Sequence, residues 1–292
     1  MSRLFVLVQY LLPQHGLSRL TGWLASSSLL NNLLIRLFIL CYRVDLEEAE
    51  IPEPDGFKNF NAFFTRSLKP GARPLANGSR VVLCPVDGAV SEIGRIDGDR
   101  ILQAKGHSYT TARLLADAKM ARVFDGGVFA TLYLAPRDYH RIHMPLAGTL
   151  QKTLYVPGRL FSVNRTTASL VPGLFACNER LVCLFSTPAG AMALVLVGAM
   201  IVAGIETVWA GQACPNQEQR VKIIDYSGQT PPIQLIAGAE LGHFKLGSTA
   251  IVLFEPGAVT LSSLLTANCK VRMGQRLGEC LRTAEAAETS TA

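Results

Sequence analysis

The stretch "FKLGSTAIVLFEPG", from Phe244 to Gly257, sets a small polar step before an uninterrupted apolar run. The run ends at a Pro-Gly turn, which predicts a buried β-strand. Similar segments recur along the chain, namely "VVLCPVDGAVSEIGRI", "GGVFATLYLAP", "GTLQKTLYVPG", "RLVCLF" and "ALVLVGAMIVAGI". The longer helical patterns lie at the N-terminus and in residues 109–124. The sequence therefore predicts an α+β fold in which N-terminal amphipathic helices precede a mainly antiparallel β core, built as a sandwich or a barrel-like sheet.

Composition narrows the classes of partner. The 292-residue chain is 49% hydrophobic and has ample material for a core. Its net charge of +6 favours an acidic partner, either nucleic acid or an anionic membrane. The chain has no Lys/Arg-rich run with interleaved aromatic residues, so we expect no nucleic-acid binding. Its seven cysteines include no C-x-x-C pair, which argues against a disulfide framework or a zinc site and favours a reducing compartment.

Residues 1–50 are predicted to form amphipathic helices that associate with a membrane. The uncharged stretches between Arg3, Arg19 and Arg36 are shorter than the ~20 apolar residues that a spanning helix needs. Apolar residues instead recur at helical spacing, which suits a helix in the headgroup layer. These residues are Leu20, Trp23, Leu24, Leu30, Leu33, Leu34 and Leu37. The alternative is that the helices pack on the protein's own core.

A second uncharged stretch, Leu181 to Ile205, has the hydropathy of a membrane span. Its Val and Ile content and its central "STPAG" step predict instead a hairpin of buried strands. A Pro-rich acidic connector, Asp45 to Gly56, marks a boundary after the N-terminal helices. We therefore expect a catalytic domain at residues 57–280 and a loose polar tail at residues 281–292.

Ser248, in the polar step, would need a base and an acidic partner to act as a nucleophile. His140 and His143 share "APRDYHRIHMPLAG", which follows a predicted strand and is therefore well placed for a site. Asp87 in "CPVDGAV" supplies a carboxylate, so Asp87, His143 and Ser248 are an acid, a base and a nucleophile if the fold joins them. If the fold does not join them, Asp87 would be a turn residue without a catalytic role. If they have no catalytic role, the histidines would be surface or capping residues, or half of a metal site. The other ligands of a metal site are missing nearby, so we expect no metal.

Several further motifs accompany these residues. In chain order the set is "FFTRSLKPGARP", "CPVDG", "ILQAKGHSY", "APRDYHRIHMP", "LFSVN", "FACNER", "IETVWAG" and "LGST". Each motif alone is weak evidence, whereas the ordered set closely resembles phosphatidylserine decarboxylases of the bacterial, membrane-associated type. The resemblance extends from about residue 3 to residue 278.

The resemblance implies that the chain cuts itself between Gly247 and Ser248 and converts Ser248 into a pyruvoyl group, a covalent cofactor. His143, oriented by Asp87, would be the base for this serinolysis. His140 would contact the substrate carboxylate or assist protonation of the carbanion. Gly247 suits the cut because a residue without Cβ adopts unusual backbone conformations. The implied reaction is decarboxylation of phosphatidylserine to phosphatidylethanolamine.

The same resemblance implies the partners and the location. We expect phosphatidylserine in an anionic membrane, a large and a small subunit produced by the cut, and a homodimer of such pairs. The location would be peripheral, on the cytoplasmic side of the cell membrane. Two other classes remain open. A serine hydrolase would use the Asp87-His143-Ser248 set in an intact chain, although G-x-S-x-G is missing. A non-catalytic peripheral membrane protein would leave the histidine and serine motifs without a role.

Overall fold

The computed structural model describes residues 2–26, 31–104, 106–200, 204–214, 220–245 and 248–281. Its α-helices are α1 (Ser2–Leu11), α2 (Gln14–Ser26), α3 (Asn31–Tyr42), α4 (Phe60–Phe64), α5 (Thr111–Leu115), α6 (Ala118–Ala121), α7 (Arg165–Ala168) and α8 (Leu174–Cys177). Its first strands are β1 (Val81–Leu83), β2 (Gly88–Arg95), β3 (Arg100–Ala104), β4 (His107–Thr110), β5 (Val128–Leu134), β6 (Arg141–His143), β7 (Gly148–Val156), β8 (Arg180–Thr187) and β9 (Gly190–Gly198). The later strands are β10 (Ile205–Thr207), β11 (Gly211–Cys214), β12 (Lys222–Asp225), β13 (Gln234–Leu235), β14 (Glu240–Phe244), β15 (Ser248–Phe254), β16 (Val259–Leu261), β17 (Lys270–Val271) and β18 (Arg276–Cys280).

The largest sheet has the strand order β12-β7-β8-β9-β15-β5-β2-β17, with β13 also paired to β7, and its pairings are antiparallel. Strand β15 lies near the middle of this order, between β9 and β5. Ala250 and Val252 belong to one buried cluster, whereas Ile251 and Leu253 belong to another. Because alternate residues of a strand face opposite sides, β15 is buried on both faces. Burial on both faces explains why its sequence shows no polar alternation, and the predicted α+β fold with a mainly antiparallel core is confirmed.

The apolar stretch after Arg180 forms the predicted hairpin. Strands β8 and β9 pair in continuous register, with Leu181 opposite Leu196 and Thr187 opposite Gly190. The Thr187 hydroxyl donates a hydrogen bond to the Gly190 carbonyl at 2.7 Å, which closes the turn. Residues 201–203 of the original stretch lie outside the described residues.

Helix α3 packs one face on the protein and leaves the other exposed. Ile35 is fully buried, and the Phe38 ring contacts the Phe60 ring edge-on at 5.1 Å. The Asn31 side chain donates to the Phe57 carbonyl at 2.8 Å. No single helix in the described ranges is long and apolar enough to cross a bilayer. Only Gly16–Ser26 and Asn31–Tyr42 taken together, bent by 114°, have the required length and composition.

Two buried glutamines attach the N-terminal helices to the β core. Gln9 Oε1 accepts a hydrogen bond from Ser162 N at 2.8 Å, and Gln14 Oε1 accepts one from Leu160 N at 2.8 Å. Gln14 Nε2 also donates to the Gln9 carbonyl at 2.7 Å. Backbone groups of the "LFSVN" motif are therefore satisfied by side chains of α1 and α2.

Candidate active site

The register of the central strands determines where Ser248 lies. Its backbone begins β15, opposite Leu134 at the end of β5 and opposite Gly198 at the end of β9. The chain continues from Leu134 to His140 and then into β6, so both predicted histidines follow the strand end beside Ser248. The proposed cut involves Gly247, which lies outside the described residues. Of Ser248, the structure describes the backbone and not the side chain.

His143 is buried, and each of its ring nitrogens has a partner. Nδ1 lies 2.8 Å from the Gly238 carbonyl oxygen, and Nε2 lies 3.1 Å from the Tyr139 hydroxyl. A carbonyl only accepts hydrogen bonds, so Nδ1 carries the proton and the Nε2 lone pair accepts from Tyr139. Burial lowers the pKa of His143 and raises the pKa of Tyr139, which keeps both groups uncharged. The arrangement presents Nε2 as the basic atom of His143.

Asp87 bonds to a different set of groups. Its carboxylate accepts hydrogen bonds from Arg73 Nε at 2.9 Å and from Met273 N at 2.8 Å, and it also pairs with Arg73 Nη2. Arg73 in turn pairs with Glu48 of the acidic connector at 2.8 Å. Within the described residues Asp87 and His143 share no direct hydrogen bond, because the Gly238 carbonyl occupies Nδ1. The backbone links the two segments, since His143 N donates to the Pro85 carbonyl at 2.9 Å.

His140 is completely buried beside the same strands. Its Nδ1 lies 2.8 Å from the Asp138 carbonyl, and its ring packs against Phe64 with centroids 4.0 Å apart. Burial lowers the pKa of His140 to about 3, so the ring is neutral at physiological pH. Nδ1 carries the proton, and Nε2 is a buried acceptor with no partner among the residues described. The His140 carbonyl also accepts from Phe244 N at 3.0 Å, which places it close to the segment that leads to Ser248.

A cavity of about 880 Å³ is lined by Asp87, Tyr139 and Asn164, among others, and its lining residues do not include His140 or His143. Basic residues outnumber acidic residues in its wall. The basic residues are Arg43, Arg66, Arg73, Arg137, Arg165, Lys270 and Arg272, and the acidic residues are Asp45, Glu48, Asp87 and Asp138. The described ranges contain no group of three or more His, Cys, Asp or Glu residues that could hold a metal ion. The excess of basic residues in the cavity wall suits an anionic ligand.

Sequence reasoning did not assign four of these contacts. Tyr139 lies between the two motif histidines, and Arg66 and Arg73 lie in "FFTRSLKPGARP", so their motifs were visible while their roles were not. Gly238 carried no signal, because its contribution to the site is a backbone carbonyl. Such a contribution depends on where the turn before β14 places the backbone and not on residue type.

Comparisons with known proteins agree on one family. The family model described as phosphatidylserine decarboxylase matches residues 60–279, and a second, described as PSD, matches residues 4–43. The chain is 58% identical over 281 residues to the phosphatidylserine decarboxylase proenzyme of Ectopseudomonas mendocina, covering 95% of this chain and 98% of the relative. It is 58% identical over 284 residues to the proenzyme of Pseudomonas aeruginosa, covering 96% of each chain. The Pseudomonas putida proenzyme is 56% identical over 280 residues, covering 94% of this chain and 97% of the relative.

Proposed function

The chain belongs to the phosphatidylserine decarboxylase family, and we propose that it activates itself by cutting between Gly247 and Ser248 to form a pyruvoyl group. The enzyme is a lyase that converts phosphatidylserine into phosphatidylethanolamine and carbon dioxide. One observation carries the cleavage proposal. Ser248 begins β15 beside the end of β5, where the chain leads directly into the segment bearing His140 and His143. The relatives are named decarboxylase proenzymes, which favours this chemistry over the serine hydrolase.

The cleavage needs a base for the serine hydroxyl. The Ser248 hydroxyl adds to the Gly247 carbonyl carbon while His143 Nε2 accepts the proton. The amide C–N bond breaks, the nitrogen takes up a proton, and an ester joins the two residues. Loss of the Ser248 α-proton then breaks the ester C–O bond, which releases the Gly247 carboxylate and leaves dehydroalanine. Water adds to the imine tautomer and ammonia departs, so that residue 248 becomes a pyruvoyl group.

The buried residues beside Ser248 fit such a group. Once formed, the pyruvoyl carbonyl supplies the electron sink that amino-acid decarboxylation requires. His140 presents a neutral, buried Nε2 without a partner among the described residues. In this tautomer Nε2 only accepts hydrogen bonds, so His140 fits a contact with the substrate amine or a proton relay to the carbanion better than a direct bond to the carboxylate.

Mass spectrometry of the purified protein tests the cleavage. We expect residues 1–247 as one chain and residues 248–292 as another with a blocked N-terminus. Ser248→Ala should remain a single, inactive chain. A fully active wild-type preparation that is uncut would exclude the pyruvoyl mechanism.

Two histidine variants test the division of roles. His143→Ala should accumulate the uncut precursor, because the serine loses its base. His140→Ala should process at least in part and decarboxylate poorly. The opposite pattern on a denaturing gel would show that the two roles are exchanged.

The proposal includes peripheral attachment to an anionic membrane on the cytoplasmic side of the cell membrane. Support comes from exposed apolar side chains, since Trp23 is 64% exposed and Leu33, Leu34 and Leu37 lie on the solvent side of α3. Arg43, just after α3, lines the cavity, so this helix ends at the expected substrate entrance. Arg36 is partly compensated by Asp55 at 2.6 Å, and the side chains of Arg19 and Leu30 lie outside the described residues.

Flotation with phosphatidylserine-containing vesicles tests the attachment. Changing Leu33, Leu34 and Leu37 to Ser should release the protein while leaving self-cleavage intact, because apolar burial dominates such binding. Raised salt should weaken binding of the wild type without abolishing it, since salt screens only the electrostatic part. Ile236→Ser and Leu264→Ser, at exposed apolar positions outside the N-terminal helices, serve as controls. A triple variant that floats like the controls would contradict the proposed membrane face.

A homodimer of processed pairs completes the proposal and is supported by the family resemblance. Light scattering on detergent-solubilised wild-type protein tests it. A mass of one large and one small subunit at micromolar concentration would contradict the dimer.

A further inference from the structure

Arg66 is a buried cation whose guanidinium is only partly bonded. The residue is 5% exposed, and Nη2 donates to the Arg137 carbonyl at 3.0 Å and to the Asp138 carbonyl at 3.4 Å. Nε and Nη1 are buried and have no hydrogen-bond partner among the residues that the structure describes. Within the same residues no carboxylate forms an ion pair with Arg66. A buried charge in this condition is costly unless an anion joins it.

The acidic groups near Arg66 are bonded to other groups. Asp87 is paired with Arg73, and the Asp138 carboxylate accepts a hydrogen bond from Ala135 N at 2.7 Å. Burial lowers the pKa of Arg66, and the charges of Asp87 and Asp138 oppose that effect through space without forming an ion pair with it. Arg66 therefore contributes to the wall of the 880 Å³ cavity a positive charge that has no direct ion pair among the described residues.

This inference rests on the proposed function: we propose that the guanidinium of Arg66, a residue that lines the cavity, binds the phosphodiester of the phosphatidylserine headgroup. Guanidinium N–H groups match phosphate oxygens in geometry and charge. Phe64, two residues earlier, packs on His140, which places Arg66 in the segment that covers the predicted substrate histidine.

The substrate carries a second anion, its carboxylate, and the chemistry argues against Arg66 binding it. The carboxylate loses its charge as carbon dioxide leaves, so a guanidinium bound to it would stabilise the ground state more than the transition state. The phosphodiester keeps its charge throughout the reaction. Binding it strengthens substrate affinity without raising the barrier, and the expected signature is a change in KM with kcat preserved.

Arg66→Gln tests the proposal in processed enzyme assayed with a soluble, short-chain phosphatidylserine, which removes membrane binding from the comparison. KM should rise by about 10- to 100-fold, as expected for loss of a charge-assisted hydrogen-bonded contact, with kcat within about threefold of wild type. Arg276→Gln is the control, since the Arg276 side chain is 51% exposed, is paired with Glu279 and does not line the cavity. Its KM should stay within about twofold. An Arg66→Gln enzyme whose KM matches that of the control would overturn the assignment.

Inhibition by glycerol 3-phosphate separates the phosphodiester from the carboxylate. The wild type should be inhibited competitively by glycerol 3-phosphate and not by glycerol at matched ionic strength, and Arg66→Gln should lose about tenfold in inhibitor affinity. N-acetylserine, which carries only the carboxylate, should inhibit both enzymes equally. Selective loss of N-acetylserine inhibition would overturn the proposal by assigning Arg66 to the carboxylate.

Arg66→Lys covers the case in which Arg66→Gln does not fold, because it retains the charge and should give an intermediate KM. Wild-type enzyme that glycerol 3-phosphate does not inhibit would also refute the phosphodiester subsite. Every one of these assays uses cut, active enzyme, so a negative result here leaves the self-cleavage proposal intact. That proposal fails separately, on the mass of the wild-type chains.

Discussion

Asp87→Asn distinguishes a carboxylate that anchors the cavity wall from one that orients the base. In the structure Asp87 is bonded to Arg73 and to Met273 N, and the Asp87 and Arg73 side chains are only 10% and 7% exposed. Asparagine keeps the shape and an acceptor for Met273 N, so the substitution mainly removes the charge that balances Arg73. Glu48 remains as the other ion-pair partner of Arg73.

The expected loss of stability follows from that burial. Removing one partner of a buried ion pair costs about 3–5 kcal/mol. For a chain of this size each kcal/mol lowers Tm by about 2–4 °C, so Asp87→Asn should lower Tm by about 6–20 °C. Arg73→Gln should produce a loss of similar size. The double variant should lose less than the sum of the single losses, because both changes remove the same interaction.

Scanning calorimetry at a fixed scan rate measures these shifts, with every variant made in the Ser248→Ala background so that all proteins remain one chain. Asp225→Asn is the matched control: Asp225 is 56% exposed and lies 3.6 Å from Lys152, and its loss should change Tm by less than about 2 °C. Self-cleavage is then followed in chains that retain Ser248, at low and high temperature. Asp87→Asn should cleave at low temperature, where the fold persists. A normal Tm with cleavage blocked at every temperature would refute the anchoring role and favour Asp87 as the group that orients His143.

Three further outcomes are expected. Tyr139→Phe should cleave itself at or above the wild-type rate in a gel time course, because His143 Nε2 no longer accepts a hydrogen bond from the Tyr139 hydroxyl. Complete loss of self-cleavage would mean that the hydroxyl relays the proton. Below pH 6.5 the unfolded state protonates His140 whereas the folded state does not until about pH 3, so stability falls with decreasing pH. Urea unfolding in the Ser248→Ala background tests this. Between pH 7 and pH 5 the free energy of unfolding should fall by about 2 kcal/mol less in His140→Gln than in the parent protein. Equal losses would contradict a buried neutral ring. Gln9→Ala should speed hydrogen exchange at the Ser162 amide by about tenfold or more, because that amide loses its acceptor, and unchanged exchange would show that the α1 contact is dispensable.

Much of the architecture was predictable because the signals are local. The run from Ala250 to Phe254 and the interrupted apolar stretch after Arg180 have strand character in their own residues, and both are strands in the fold. The ordered motifs indicated the family for the same reason, since each lies within a few consecutive residues. Strand β12 extends the largest sheet by pairing with β7, although none of the strand-like segments or motifs quoted from the sequence includes it. An edge strand of mixed polarity has only a weak local signature.

The amino-acid sequence by itself determined the α+β class, the central strand, the hairpin and the residue types available for chemistry, because each depends on the properties of neighbouring residues. Only the tertiary structure decided which groups bond to one another. It pairs Asp87 with Arg73 and places the Gly238 carbonyl against His143 Nδ1. It also leaves two nitrogens of Arg66 without a partner among the residues that the structure describes. His143 and Gly238 are far apart along the chain, and their contact depends on strand register and on which groups become buried together. Burial then sets the charge of each group, because a low-dielectric interior penalises every ion that lacks a partner.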